Sequence, residues 1–201
     1  MKETEILGMI EASTFEAKVK EFTGKYGEAK IKKRLSIMLF DRNNPEVDTR
    51  IRITNGKPEL MQKQKLKQEG INTTTKLELQ VELLADTDQI FNLYKSFENV
   101  LLPYKTELVK LLVQTENYIW KIENIELKLS RQFGRSDFYT FEIELTEDGN
   151  SITQWQEMLN LFAIADLDSP EYSTYRSDKV DILIESLSED QFREIISGYI
   201  N

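Results

Sequence analysis

Residues 49–66, TRIRITNGKPELMQKQKL, contain two segments of β-type sequence separated by Asn55 and Gly56. Asn-Gly between two such segments is the strongest short-range signal for a two-residue β-hairpin. Side chains two positions apart on a strand point to the same face of the sheet. The first strand of this hairpin therefore presents Arg50 and Arg52 together on one face.

Two other segments repeat this alternation with different charges. The segment KLELQVEL begins at Lys76 and places Glu78 on the same face, and the segment FEIEL places Glu142 and Glu144 on one face. A half-buried strand ordinarily alternates in this way. The distinctive feature is that one strand presents cations and another presents anions, which suits a polyanion bound together with a metal ion.

The composition limits the classes of protein that fit. The chain has 201 residues, of which 40% are hydrophobic and 30% charged, so we expect one folded domain with a substantial core. A net charge of −9 argues against binding long nucleic acid, although a buried basic site for a small phosphate compound is compatible with it. Because the chain has no cysteine and no histidine, any metal would need oxygen ligands, which favours Mg²⁺, Mn²⁺ or Ca²⁺.

The location of the protein is expected from what the sequence lacks. The first fifteen residues contain three glutamates and no apolar run typical of a signal sequence. No stretch has the length and apolarity of a membrane span. We therefore expect a cytoplasmic protein that has no membrane partner.

Apolar spacing and turn residues predict the order of elements. A helix is predicted over 14–26 with Ser13 or Thr14 as its N-cap, and a second one begins at Asp86 or Thr87. A turn is predicted at Thr115-Glu116-Asn117. Strands are predicted at 3–10, 31–40, 47–54, 58–66, 76–84, 106–114, 118–130 and 138–146.

The region after the last predicted strand has a helical pattern. The side chains that share its apolar face are Trp155, Met158, Leu159 and Phe162, and a final helix is predicted over 188–199. The order of elements predicts an α+β fold, an antiparallel β-barrel of about eight strands with flanking helices. We expect a single tunnel domain over 1–201, with C-terminal helices at 151–200 packed on the barrel.

The ordered set of charged strands resembles the triphosphate tunnel metalloenzymes, also called the CYTH superfamily. Glu3 and Glu5 match the two glutamates of the family's opening strand, and Phe40-Asp41 is similar to the end of its next strand. Its later motifs resemble, in order, Arg50 and Arg52, Lys63 or Lys65, Lys76 with Glu78, Lys110, Glu123, and Glu142 with Glu144. The chain departs from the family pattern at Leu7, Gln80 and Leu108, where the family has charged residues.

The resemblance implies a role for each of these residues. It places catalysis on Glu5, Lys76 and Glu78. The residues that it implies for binding the substrate are Arg50, Arg52, Lys63, Lys65, Lys76 and Lys110. Arg176 is a separate candidate for substrate binding at one mouth of the barrel, with a solvated helix start as the alternative. Those that it implies for binding Mg²⁺ or Mn²⁺ are Glu3, Glu5, Glu123, Glu142 and Glu144.

Divalent-metal-dependent hydrolysis of a triphosphate is the function that follows, on inorganic triphosphate, a nucleoside triphosphate or a similar small molecule. Arginine forks and lysines suit phosphate oxygens, and carboxylates suit hard divalent ions. Three alternatives stay open: a non-catalytic nucleotide or polyphosphate sensor, a nucleotidyl cyclase, and a β-barrel adaptor without a phosphate site. Taken alone, each charged pair is equally compatible with a solvated strand face or with cross-strand ion pairs.

Overall fold

The computed structural model describes residues 2–68, 73–101, 103, 107–122, 125–145 and 179–200. In these ranges the strands are β1 Lys2–Met9, β2 Lys30–Asp41, β3 Asn44–Thr54, β4 Lys57–Gln68, β5 Thr73–Glu82, β6 Leu108–Ile122, β7 Ile125–Phe133, β8 Phe138–Leu145 and β9 Ile182–Leu183. The helices are α1 Ala12–Tyr26, α2 Thr87–Leu101 and α3 Glu189–Ile200, with a 3₁₀ turn at Ile184–Ser186. The helical pattern that contains Trp155, Met158, Leu159 and Phe162 lies outside the described residues.

The eight long strands form an antiparallel, tunnel-like barrel. Their order is β2-β3-β4-β5-β1-β8-β7-β6, and β2 also pairs with β6. Each of these strands therefore has a hydrogen-bonded neighbour on both sides. The short strand β9 adds two residues beside β6. The predicted α+β class and antiparallel barrel are confirmed.

The main hydrophobic cores lie outside the barrel, between its wall and the helices. Leu35 and Ile51 belong to one buried cluster that also contains Tyr94 of α2 and Phe192 of α3. A second cluster joins Phe22 of α1 to the outward side chains of β6, β7 and β8. Because successive strand residues alternate between faces, the residues between these outward side chains point into the barrel.

Two helix starts were predicted with different success. The predicted cap of α2 is confirmed, since the Gln89 backbone N–H donates to Asp86 Oδ1 at 2.9 Å and the Asp86 backbone N–H donates to Gln89 Oε1 at 2.9 Å. This reciprocal pair satisfies two amides that would otherwise lack partners. The predicted cap of α1 was wrong, because the helix begins at Ala12 and its N-cap Glu11 makes no side-chain hydrogen bond. None of the described helices is long and apolar enough to cross a membrane.

The predicted turn at 115–117 was wrong, because β6 continues unbroken through these residues. Asn117 is buried, and its amide nitrogen donates to the Lys32 carbonyl oxygen at 3.1 Å while its amide oxygen accepts from Ser130 Oγ at 2.8 Å. Thr115 lies on the same face and accepts from Asn117 at 3.0 Å. The polar run that suggested a turn contains residues that line a polar barrel interior.

The predicted Asn-Gly hairpin is confirmed between β3 and β4. Asn55 and Gly56 have φ values of 47° and 81°, the left-handed region that this turn requires. A Cβ at Gly56 would lie 3.3 Å from the carbonyl oxygen of Ile200 at the end of α3. The turn therefore restricts residue 56 by both its backbone conformation and its contact with α3.

Alanine at these glycines gives a matched test of the turn. We expect Gly56→Ala to lower the free energy of unfolding by about 1–2 kcal/mol, because alanine at a positive φ is strained. Gly24→Ala, in α1 where an added Cβ meets nothing within 4 Å, raises it by about 0.5 kcal/mol through helix propensity. Urea unfolding of both variants measures the difference, and equal effects of the two substitutions would contradict this account of the turn.

Candidate functional site

The interior of the barrel holds buried charges. Arg52 of β3 lies opposite Ser36 of β2 and Glu59 of β4 in the strand register. Arg52 and Glu59 are each 8% exposed. A buried charge is costly unless it is paired and hydrogen-bonded, so the contacts of these two residues define the centre of the site.

Glu59 and Gln80 hold the guanidinium group of Arg52. Arg52 Nε donates to Glu59 Oε1, and Arg52 Nη2 lies 3.4 Å from Gln80 Oε1. Gln80 Nε2 in turn donates to Glu59 Oε2. Glu78 adds a longer ionic contact, 3.8 Å from Arg52 Nη2. The amide of Gln80 suits this position because it accepts from the cation and donates to the carboxylate.

Arg34 of β2 is an inward-facing cation that the sequence analysis missed. Its Nε donates to Thr54 Oγ1 at 3.2 Å, and its strand position faces the same side as Arg52. Burial and then the charge of Arg52 lower the pKa of Arg34 to about 10, while Glu142 and Glu59 act in the opposite direction. Arg34 stands in the charge-rich start of a strand, where a solvated face is the usual interpretation.

Carboxylates line another part of the interior. Glu142 of β8 forms an ion pair with Lys128 of β7. Glu144 lies in register with position 5 of β1 on one side and with Glu126 of β7 on the other. Like charges directly opposite one another on neighbouring strands repel. A row of carboxylates on the inner face therefore fits a divalent cation with oxygen ligands. In the described part of the chain no group of three or more acidic residues is arranged to hold a metal ion.

Apolar side chains occupy the inner face where β2 ends and β6 begins. Met38, Leu111 and Val113 form a buried cluster, with Phe40 and Val109 packed against it. A cation on β6 would need to occupy one of these inward positions to contact a ligand inside the barrel. This part of the interior therefore offers packing rather than phosphate contacts.

Apart from Lys110, the predicted site residues separate into three groups. Arg50, Arg52, Glu78, Glu142 and Glu144 stand at inward positions of β3, β5 and β8. The strand register places positions 3, 5, 63, 65 and 76 on the same face as these residues. Glu123 and Arg176 lie outside the described residues.

The structure contradicts the predicted inward position of Lys110. This residue lies opposite Leu39 on the outer face of β6, and its Nζ donates to Glu98 Oε1 of α2 at 2.9 Å. Leu108, aligned with the same family motif, packs against the outer core. A register difference of one residue reverses the face on which a strand side chain lies. Lys110 therefore lies outside the barrel interior in which the predicted substrate contact would be made.

The ion pair between Lys110 and Glu98 on the outer face stabilises the fold. Burial alone would raise the pKa of Glu98, but the hydrogen bond and charge of Lys110 lower it overall. A carboxyl group whose pKa is lowered on folding stabilises the protein above its ordinary pKa, and this contribution disappears as the pH falls.

Lys110→Met therefore lowers the free energy of unfolding by about 1 kcal/mol at neutral pH. The difference from the unchanged protein shrinks as the pH falls below the ordinary pKa of a glutamate and through the lowered pKa of Glu98. Lys20→Met, at an exposed position of α1, is the control and has little effect at neutral or acid pH. Urea titrations at neutral and acid pH make the measurement, and a difference that grows in acid would contradict the assigned pair.

Gln80→Glu tests the network around Arg52. The new carboxylate loses the donor to Glu59 and repels it, so the free energy of unfolding falls by about 2 kcal/mol in metal-free buffer. Like-charge contact raises the pKa values of the pair, so the loss is present at neutral pH and decreases on acidification. Gln62→Glu, at an exposed outer position of β4, is the matched control. Equal losses in the two variants, measured by thermal unfolding, would contradict the assigned Gln80 contact.

Comparison with known proteins supports the fold. The chain matches no protein-family description and no curated protein. It is similar to a solved structure from Hippeastrum, described as an adenylyl cyclase with a dominant triphosphatase activity, at 18% identity and a TM-score of 0.64 over 89% of this chain and 97% of that one. The capping enzyme triphosphatase of Mimivirus matches at 13% identity and a TM-score of 0.54, over 82% and 90%.

A third solved structure extends the comparison to bacteria. A Bacillus halodurans protein named as an adenylate cyclase matches at 13% identity and a TM-score of 0.59, over 85% of this chain and 96% of that one. These neighbours are named as triphosphatases or adenylate cyclases, and their similarity to this chain confirms the fold expected from the resemblance to the CYTH superfamily. At these identities the similarity concerns the fold.

Proposed function

We propose that this protein is a divalent-metal-dependent hydrolase of a small triphosphate compound, which binds inside the barrel. The observation that carries the proposal is the position of two arginines, Arg34 and Arg52, at neighbouring inward positions of a barrel interior that also contains carboxylates. The named activities of the triphosphatase neighbours support the same reaction class.

Binding would depend first on the cations. A guanidinium group presents a planar set of donors that matches two phosphate oxygens at once. Arg52 is already oriented by Glu59 and Gln80, so little side-chain entropy is lost when a ligand binds. Arg50 and the lysines at 63, 65 and 76 are proposed to contact the neighbouring phosphates.

The carboxylates are proposed to hold the metal and assist the reaction. Glu3, Glu5, Glu142 and Glu144 are the proposed ligands of Mg²⁺ or Mn²⁺, which neutralises phosphate charge and lowers the pKa of water in sites of this kind. Glu5 and Glu78, together with Lys76, are proposed to orient the attacking water and the reacting phosphoryl group. Phosphoryl transfer needs mainly such positioning and charge stabilisation.

A non-catalytic sensor is the second candidate, and two features of the interior favour it. Gln80 stands where the family pattern has a carboxylate, and its amide is engaged by Glu59. Apolar side chains, Leu111 and Val113 among them, fill part of the inner face of β6. Both features reduce the number of groups available to a metal and its phosphates. A nucleotidyl cyclase is the third candidate, which the naming of two neighbours favours.

Phosphate release from inorganic triphosphate and ATP, with Mg²⁺ and with Mn²⁺, tests the proposed reaction. We expect release that depends on the metal, and we expect Arg52→Lys to reduce kcat/KM by about tenfold to a hundredfold because lysine keeps the charge but loses the fork. Arg193→Lys is the control, since Arg193 lies on α3 over the ring of Phe91 and outside the barrel.

The outcomes separate the candidates. Binding of triphosphate without release would favour the sensor, and formation of cyclic nucleotide with pyrophosphate would favour the cyclase. If Arg52→Lys and Arg193→Lys changed neither binding nor turnover, the interior of the barrel would not be the site.

A further inference from the structure

The last part of β5 is exposed on both of its faces. On the outer face Leu79 is 58% exposed and Val81 is 61% exposed, and Leu84, which follows the strand, is fully exposed. Gln80 and Glu82, on the opposite face, are exposed as well. Strands of antiparallel sheets ordinarily have one face packed on a core. Exposed apolar side chains that are grouped in this way mark an interaction surface.

The same part of β5 has an open edge. β1 begins at Lys2, which lies opposite Leu77 of β5. Beyond that point, β4 is the only strand in the described part of the chain that pairs with β5. Residues 78–82 therefore present a row of backbone N–H and C=O groups along one side. Such an edge is a template on which another extended segment can pair.

The hydrogen bonds to β4 show which backbone groups point to this edge. The backbone N–H of Leu83 donates to the Pro58 carbonyl oxygen of β4 at 2.9 Å. Alternate residues of an antiparallel strand bond to the same neighbouring strand. The backbone groups of Gln80 and Glu82, at the intervening positions, therefore face the open edge.

The charge beside the edge determines which segment fits it. Glu82 lies directly opposite Glu59 of β4, and like charges in opposed positions repel. A basic side chain on an added strand, next to Glu82, would relieve this repulsion. On the outer face, Leu79 and Val81 would pack against apolar side chains of the same strand. Because strand side chains alternate between faces, the complementary segment alternates basic and apolar residues.

A second copy of this chain fits the edge less well. If β5 of two copies paired antiparallel about Gln80, Glu78 of one copy would lie opposite Glu82 of the other. Two pairs of carboxylates would then oppose one another across the interface, which is destabilising. The charge pattern therefore favours a basic partner over self-association.

We propose that residues 78–82 of β5 bind an extended segment of a partner protein in which basic and apolar residues alternate. The segment adds to the sheet as a further strand, so main-chain hydrogen bonds supply affinity and side chains supply specificity. Its basic residues lie beside Glu82, and its apolar residues pack against Leu79 and Val81. This inference is independent of the proposed hydrolase, since it needs no phosphate ligand.

Fluorescence anisotropy with a labelled, end-blocked peptide of alternating valine and lysine tests the inference on the full chain. A second peptide has the same residues arranged as one block of valines and one block of lysines. The two peptides carry the same charge, so general attraction to a chain of net charge −9 is matched. We expect the alternating peptide to bind at least about tenfold more tightly, because it alone places its valines on one face of a strand.

Two valines of nearly equal exposure provide matched variants. Val81→Lys weakens binding of the alternating peptide at least about tenfold, because it puts a charge where the apolar residues of the peptide must pack. Val100→Lys, on α2 where the valine is 62% exposed, is the control and leaves the affinity within about twofold. Val81→Thr keeps the strand propensity and reduces the affinity about threefold through the lost apolar contact.

The inference is overturned if neither peptide binds, if the two bind equally, or if Val81→Lys and Val100→Lys have equal effects. Sedimentation of the chain without peptide tests the second copy as occupant. Self-association that Val81→Lys abolishes would show that another copy covers the edge, and this too would overturn the inference. Phosphate release, measured separately, decides the hydrolase in every case.

Discussion

The alternation of side chains between the inner and outer faces of each strand is the constraint on which the rest of the structure depends. The outward residues of β2 and β3 form one hydrophobic core with α2 and α3, and those of β6 to β8 form another with α1. Since the apolar area that stabilises the fold is buried on the outside of the wall, the inside need not be filled by hydrocarbon. Arg34, Arg52 and Glu59 can then be carried in the interior, provided that they are paired.

The pairing of these charges connects stability with function. Arg52 is held by Glu59 and Gln80, and Glu142 is held by Lys128. Such contacts offset the cost of burying the charges and also fix the guanidinium group before any ligand arrives. A polyphosphate would enter an environment whose dipoles and charges are already oriented, which is the arrangement that makes electrostatic stabilisation effective. Gln80 completes this network, since its amide accepts from Arg52 and donates to Glu59.

Local patterns could be predicted from the sequence, whereas the face of the sheet on which some side chains lie could not. The hairpin at Asn55 and the shared face of Arg50 and Arg52 depend on neighbouring residues alone, so the sequence contains the necessary information. Asn117 was assigned to a turn because polar residues in the middle of a strand are unusual unless the interior is itself polar. Lys110 was wrongly assigned to the inner face. The face on which it lies depends on the strand register, which only the pairing with β2 sets. Arg34 was missed for a related reason. Its side chain is known to point inward only because its neighbour Leu35 packs in the outer core.

The central claim is that phosphates bind between the buried charges inside the barrel, and a crystal structure with a non-hydrolysable triphosphate analogue tests it most directly. We predict phosphate oxygens within hydrogen-bonding distance of the guanidinium groups of Arg34 and Arg52, on the inner face of β2 and β3. An analogue bound on the outer surface, with the interior unchanged, would contradict it.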